Sequence, residues 1–189
     1  MEQFDLYQDI ATRTGGDIYI GVVGPVRTGK STFITKFMQT LVLPNMQDEH
    51  RKQRMIDELP QSADGKTVMT TQPKFVPDGG VRVSLGEGLE ANVRLIDCVG
   101  YPCDGAQGFK EGEKSRLVST PWSEEEMPFE QAAELGTQKV IHDHSTIGIV
   151  VTTDGSITDL PRSEYEQAEQ RVIREMQQLG KPFVIVLNT

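Results

Sequence analysis

The chain has 189 residues, 37% of them hydrophobic and 25% charged, which suits one folded domain with a buried core and excludes wholesale disorder. With 19 Lys and Arg against 28 Asp and Glu the net charge is −9, a balance that repels nucleic-acid phosphates and anionic lipid by default. The one dense basic group, Arg51-Lys52-Gln53-Arg54, is ringed by Asp48, Glu49, Asp57 and Glu58 and reads as a solvated helix face. Cys98 and Cys103 are too few for a disulfide framework, and the longest apolar runs fall far short of the roughly 20 residues that cross a bilayer. The expectation is a cytoplasmic protein with no nucleic-acid partner and no direct membrane insertion.

Short β-branched runs alternate with amphipathic stretches along the chain, which predicts an α/β fold with a mostly parallel sheet. Residues 17–23 are apolar on both alternating faces, as a central strand covered by helices should be. Beyond a Gly-rich turn, Phe33, Phe37 and Leu41 repeat at i, i+4 with Ile34 and Met38 beside them, predicting a helix that ends before Pro44. Residues 81–85 and 92–96 alternate at period two, and the turn between them is too short for a helical crossover, so they should form an antiparallel hairpin. A buried strand is expected over 147–152. Pro161 then opens a helix whose Tyr165, Ala168, Val172, Met176 and Leu179 share a face and which Gly180 ends. The last strand is expected over 183–187. No helix follows to cover it, so residues 1–189 are read as one nucleotide-binding domain cut from a longer protein. Residues 44–80 and 100–127 show no clear strand pattern and are the places for switch loops.

Gly24-Pro25-Val26-Arg27-Thr28-Gly29-Lys30-Ser31 has the P-loop spacing, two glycines four residues apart followed by Lys and Ser. In such a loop the backbone N–H groups form a nest for phosphate oxygens, Lys30 neutralises the β and γ phosphates, and the Ser31 hydroxyl ligates Mg²⁺. Residues 24–32, Thr32 included, are therefore candidate nucleotide contacts. The motif lies between a predicted buried strand and a predicted amphipathic helix, the setting it requires.

Asp97-Cys98-Val99-Gly100 ends a predicted strand, and its pairing with a preceding antiparallel strand is the layout of translation-factor GTPase-like P-loop proteins. In that layout Asp97 holds Mg²⁺ through water, the Gly100 N–H faces the γ-phosphate, and a threonine from the preceding interval closes over both. Thr70 and Thr71 are the candidates. Tyr101 stands where many GTPases carry the Gln that orients water, which predicts slow or assisted hydrolysis. Asn188-Thr189 lacks the Lys that follows Asn in the guanine-reading motif, so adenine is the expected base and Asn188 a candidate contact.

These motifs, with Glu58-Leu59-Pro60-Gln61-Ser62, Met69-Thr70-Thr71 and His144-Ser145-Thr146-Ile147-Gly148, resemble the N-terminal domain of the stage IV sporulation protein A family over essentially the whole chain. The resemblance implies a GTPase-derived, Mg²⁺-dependent ATPase with Lys30 as Walker A lysine, Asp97 as Walker B aspartate and Thr70 and Thr71 as sensor threonines. It further implies self-association into a polymer driven by ATP hydrolysis, forming the spore-coat basement layer on the outer forespore membrane in the mother-cell cytoplasm. The implied partners are a small amphipathic membrane peptide and other coat proteins, with middle and C-terminal domains lying outside these residues. The alternatives are a GTPase of ribosome-biogenesis or signalling type, and a structural module whose nucleotide is never turned over.

The remaining chemistry-bearing residues are read more plainly. His142 and His144 end a predicted helix, where they complement its dipole rather than bind metal. Cys98 is expected as a small core residue, Cys103 as a thiol in a mobile loop, and Trp122 as an anchor for the long segment around it.

Overall fold

The computed structural model describes residues 16–46, 48–60, 72–86, 89–106, 110–111 and 114–189. A five-stranded sheet in the order β2-β3-β1-β8-β9 lies between two helical layers. Its strands are β1 (Asp17–Val23), β2 (Lys74–Gly86), β3 (Leu89–Asp97), β8 (Ile147–Thr153) and β9 (Phe183–Asn188). β3, β1, β8 and β9 run parallel, and β2 pairs antiparallel with β3. The predicted mostly parallel sheet with one antiparallel hairpin strand is the observed arrangement, although β2 begins at Lys74 and carries a register shift between Val76 and Val81.

Strand alternation sends side chains to both layers. Ile18 and Val22 of β1, Val93 and Leu95 of β3, and Val151 of β8 face α1 (Lys30–Phe37) and α2 (Glu49–Glu58). Val23, Ile96 and Val150 face α3 (Phe129–Lys139) and α4 (Ser163–Gln178). α2 starts where Asp48 accepts hydrogen bonds from the His50 and Arg51 N–H groups at 2.9 and 3.2 Å, an N-cap that satisfies donors the helix itself cannot. Two small ladders, β4 (Lys110–Glu111) with β5 (Lys114–Ser115) and β6 (Leu117–Thr120) with β7 (Ser123–Pro128), precede α3. Both α1 and α3 widen into a π turn, Met38–Val42 and Val140–His144. The Lys181 ammonium closes the second by donating to the carbonyls of Ile141, His142 and Ser145 at 2.5, 2.9 and 2.7 Å.

Several expectations change on this frame. The inward face of α1 runs through Ile34, Met38 and Val42, all at most 3% exposed, while Leu41 is 57% exposed. The sheet thus selects the neighbouring stripe of the same apolar helix. Residues 44–80 contain α2 and the start of β2, and residues 100–127 contain the β6–β7 hairpin, whose acidic Glu124-Glu125-Glu126 run hid its strand character. Pro161 lies before Ser163, the first residue of α4, rather than in its first turn, and Leu179 is its exposed C-cap. Trp122 is half-buried in the hairpin turn and belongs to neither core cluster. Cys103 is buried, and burial pushes its thiol up to about 11, so it has the character of a core residue. Burial raises Cys98 likewise to about 11, as expected for a small core side chain. Among the described residues there is no cluster of three His, Cys, Asp or Glu suited to a metal. No described helix is long and apolar enough to cross a membrane.

Candidate functional site

The segment from Gly24 to Ser31 leaves the C-terminal end of β1, at the centre of the sheet, and enters α1 with Gly29 as its N-cap. Gly24 (φ 140°) passes so close to the Val151 carbonyl that a Cβ there would collide with it, which only glycine avoids. The Pro25 carbonyl accepts from the Thr28 hydroxyl at 3.0 Å and from the Lys30 ammonium at 2.5 Å. The Asn188 amide, from the end of β9, donates to the Thr28 carbonyl at 3.1 Å. These bonds hold the loop by its carbonyls. Among the described residues nothing accepts from the backbone N–H groups of Arg27, Gly29 and Lys30. A turn of unsatisfied donors at a helix N-terminus, with a buried ammonium beside it, is suited to an anion. Burial lowers the pKa of Lys30 below the ordinary lysine value, with Asp97 among the groups opposing that shift.

Asp97 lies at the end of β3, next to β1 in the sheet. Its Oδ2 accepts from the Ser31 hydroxyl at 2.6 Å, whereas its Oδ1 is buried without a hydrogen-bond partner. Burial raises the carboxyl's pKa above the ordinary value, and the Ser31 hydrogen bond and the Lys30 charge pull the other way. An orphaned buried carboxylate oxygen costs stability unless a cation or donor satisfies it. A hydroxyl and a carboxylate with a spare oxygen form a donor set that fits Mg²⁺.

The following residues stitch the two loops together. The Tyr101 N–H donates to the Gly24 carbonyl at 3.1 Å, and the Val26 N–H donates to the Tyr101 carbonyl at 2.9 Å. Gly100 (φ 98°) sits where a Cβ would lie 2.5 Å from the Lys30 ammonium. Its N–H, expected to face phosphate, donates instead to the Thr137 hydroxyl of α3 at 3.2 Å, so a phosphate contact requires that bond to open. The Tyr101 side chain is 1% exposed and turns into the opposite helical layer, where its hydroxyl donates to Glu175 at 2.6 Å and Arg171 lies 4.0 Å above its ring. It is therefore placed as an anchor between loop and helix.

The structure brings residues 24–32, Asp97, Gly100 and Asn188 to one end of the sheet, while Thr70 and Thr71 lie outside the described residues. Thr137 was not foreseen from sequence, although it is a polar residue on the buried stripe of α3 that Phe129, Ala132, Ala133 and Gly136 define. Asn188, expected at the base, is found on the loop of residues 24–31, at the Thr28 carbonyl.

The profile of the family "Stage IV sporulation protein A, ATPase domain" matches residues 1–189. The stage IV sporulation protein A of Bacillus anthracis and that of Bacillus subtilis (strain 168) are each 58% identical over 189 residues, all of this chain. That of Clostridioides difficile (strain 630) is 61% identical over 185 residues, 98% of this chain. The chain spans 38% of the length of each of these relatives. Matched by the profile from first residue to last and carrying relatives at 58–61% identity, the chain belongs to the stage IV sporulation protein A family, as its ATPase domain.

Proposed function

We propose that this domain binds Mg²⁺ and ATP and hydrolyses the γ-phosphate, on the layout of the translation-factor GTPases. The observation that carries the reading is the Ser31–Asp97 hydrogen bond at 2.6 Å, with the second carboxylate oxygen orphaned, beside a loop of free N–H donors. In the reaction a water oxygen forms a bond to Pγ, and the bond from Pγ to the β–γ bridging oxygen breaks. Its electron pair leaves on ADP, and the water's protons end on inorganic phosphate and solvent. The N–H groups of residues 27–30 orient the phosphates, Lys30 offsets their charge, and Ser31 and Asp97 hold the cation site. Mg²⁺ held by Ser31 and Asp97 would supply neutralisation of phosphate charge. Thr70 and Thr71 close over that site. Tyr101, anchored on Glu175, leaves water to be positioned by the closed loops, which makes turnover slow unless assembly completes the arrangement.

In the whole protein we assign this turnover to polymerisation of the spore-coat basement layer at the outer forespore membrane, on the mother-cell side, with a small amphipathic membrane peptide and coat proteins as partners. Hydrolysis of ATP and GTP by the purified chain with Mg²⁺ tests the reading. Faster ATP turnover is expected. Faster GTP turnover would favour the GTPase alternative, and none with either nucleotide would leave a structural module.

A further inference from the structure

Arg27 is the residue of the phosphate loop whose side chain the reading above leaves unused. Its φ is 61°, and among the described residues it is the one non-glycine in the left-handed region. Glycine or asparagine would adopt that backbone at less cost, and glycine already occupies positions 24 and 29 of the same loop. A bulky cation kept in a strained conformation signals a use for the side chain. Its neighbours Val26 and Thr28 are fully buried, whereas Arg27 is half-buried. Among the described residues it makes no ion pair or hydrogen bond, although Asp and Glu outnumber Lys and Arg across the chain. Three cations near the sheet are by contrast engaged, Lys30 on the Pro25 carbonyl, Arg162 on Glu169 and Arg171 on Glu134 and Glu175.

We propose that Arg27 is a built-in arginine for phosphoryl transfer, contacting the triphosphate and neutralising the charge that gathers on the bridging oxygen as the bond to Pγ breaks. The inference rests on the ATP-hydrolysing role proposed above. It supplies from within the chain the cation that other phosphoryl-transfer proteins take from a partner, and it compensates for a site in which Tyr101 is turned away from the water. A guanidinium suits this place better than an ammonium because its planar fork can bridge two phosphate oxygens and it is more weakly hydrated.

The test compares the full chain with Arg27→Asn, Arg27→Lys and Lys30→Ala, measuring ATP turnover, affinity for ADP and for a non-hydrolysable ATP analogue, and melting temperature. Arg27→Asn suits the left-handed backbone without the charge, so its melting temperature should equal or exceed the parent's. Its ADP affinity should stay within about threefold, its preference for the ATP analogue over ADP should fall, and its turnover should drop on the order of 10³-fold. Arg27→Lys should recover part of that loss. Turnover and analogue preference unchanged in Arg27→Asn, or a loss explained by a lower melting temperature that Arg27→Lys does not recover, would overturn the assignment. Lys30→Ala separates the two readings: if it too keeps full turnover and analogue affinity, the phosphate-loop function fails, whereas a dead Lys30→Ala beside an intact Arg27→Asn removes the role of Arg27 alone.

Discussion

The loops that leave β1 and β3 lie side by side, joined through the Pro25 and Tyr101 backbones, yet they are held in opposite ways. The β1 loop is held by its carbonyls: Pro25 accepts from Thr28 and Lys30, and Thr28 accepts from Asn188. Among the described residues the N–H groups of Arg27, Gly29 and Lys30 stay free, while that of Val26 is bonded to Tyr101. The β3 loop has its donors spent, Gly100 on Thr137 and Tyr101 on Gly24, and its largest side chain is sunk against α4. The first loop is thus organised before any ligand arrives. The second must exchange at least one protein bond for a ligand bond, which is the behaviour of a switch.

The largest expected effect strikes the preorganised loop. Lys30→Ala removes the buried ammonium that braces Pro25 and, in the proposed reaction, offsets phosphate charge, and ATP turnover should fall about 10²–10³-fold. Steady-state phosphate release checks this, and turnover equal to the parent's would erase the distinction between the loops. Thr137→Val addresses the second loop. It deletes the acceptor for Gly100 and the donor to the Ala133 carbonyl, so stability should fall by about 1–3 kcal/mol. The freed Gly100 N–H should raise the preference for an ATP analogue over ADP. Competition binding reads that ratio, and no change would mean that Thr137 does not compete with phosphate.

Asn188→Ala removes one clamp on the loop from β9 and should cost about 1 kcal/mol, with a several-fold loss of nucleotide affinity visible by calorimetry. A stability loss without an affinity loss would show that the loop keeps its shape unaided. The smallest effect lies in a third loop, between β8 and α4, held by charge. Arg162 makes two hydrogen bonds to Glu169, at 2.6 and 2.8 Å, and holds its carboxyl below the ordinary glutamate range. A depressed carboxyl pKa stabilises the fold fully above the unfolded value, and that contribution is lost as pH falls through the folded one. Denaturation midpoints of the parent and Glu169→Gln should therefore differ at neutral pH and converge as the pH falls from the ordinary glutamate value of about 4.3 through the lower value of the folded state. Parallel curves throughout would deny the ion pair any part in the acid limb.

The first loop was legible in the sequence because its signals are local: two glycines, Lys30 and Ser31 at fixed spacing between a strand and a helix. Asp97 was legible through the hairpin that precedes it. The contacts that distinguish the two loops were not, since Thr137 meets Gly100 across 37 residues and Asn188 meets Thr28 across 160. Nothing in the spacing of those residues marks such pairs; the packing of α3 and the parallel sheet order create them. Burial was misjudged for the same reason. Leu41 and Cys103 sit in stretches whose local pattern does not say which face the sheet will cover. Thr70 and Thr71, the expected closing pair, lie outside the described residues.

An isolated parallel bridge between Pro25 and Tyr101, one residue out of the β1–β3 register, ties the two loops together beyond the ends of both strands. Opening either loop fully means breaking bonds held by the other. In amide-exchange terms, Val26 and Tyr101 belong to one cooperative unit with a single opening free energy, while the amides of Arg27, Gly29 and Lys30, hydrogen-bonded to nothing described, exchange at rates set by solvent access until a ligand covers them. A bound triphosphate would therefore slow exchange along the first loop directly and slow it at Tyr101 through the shared bridge.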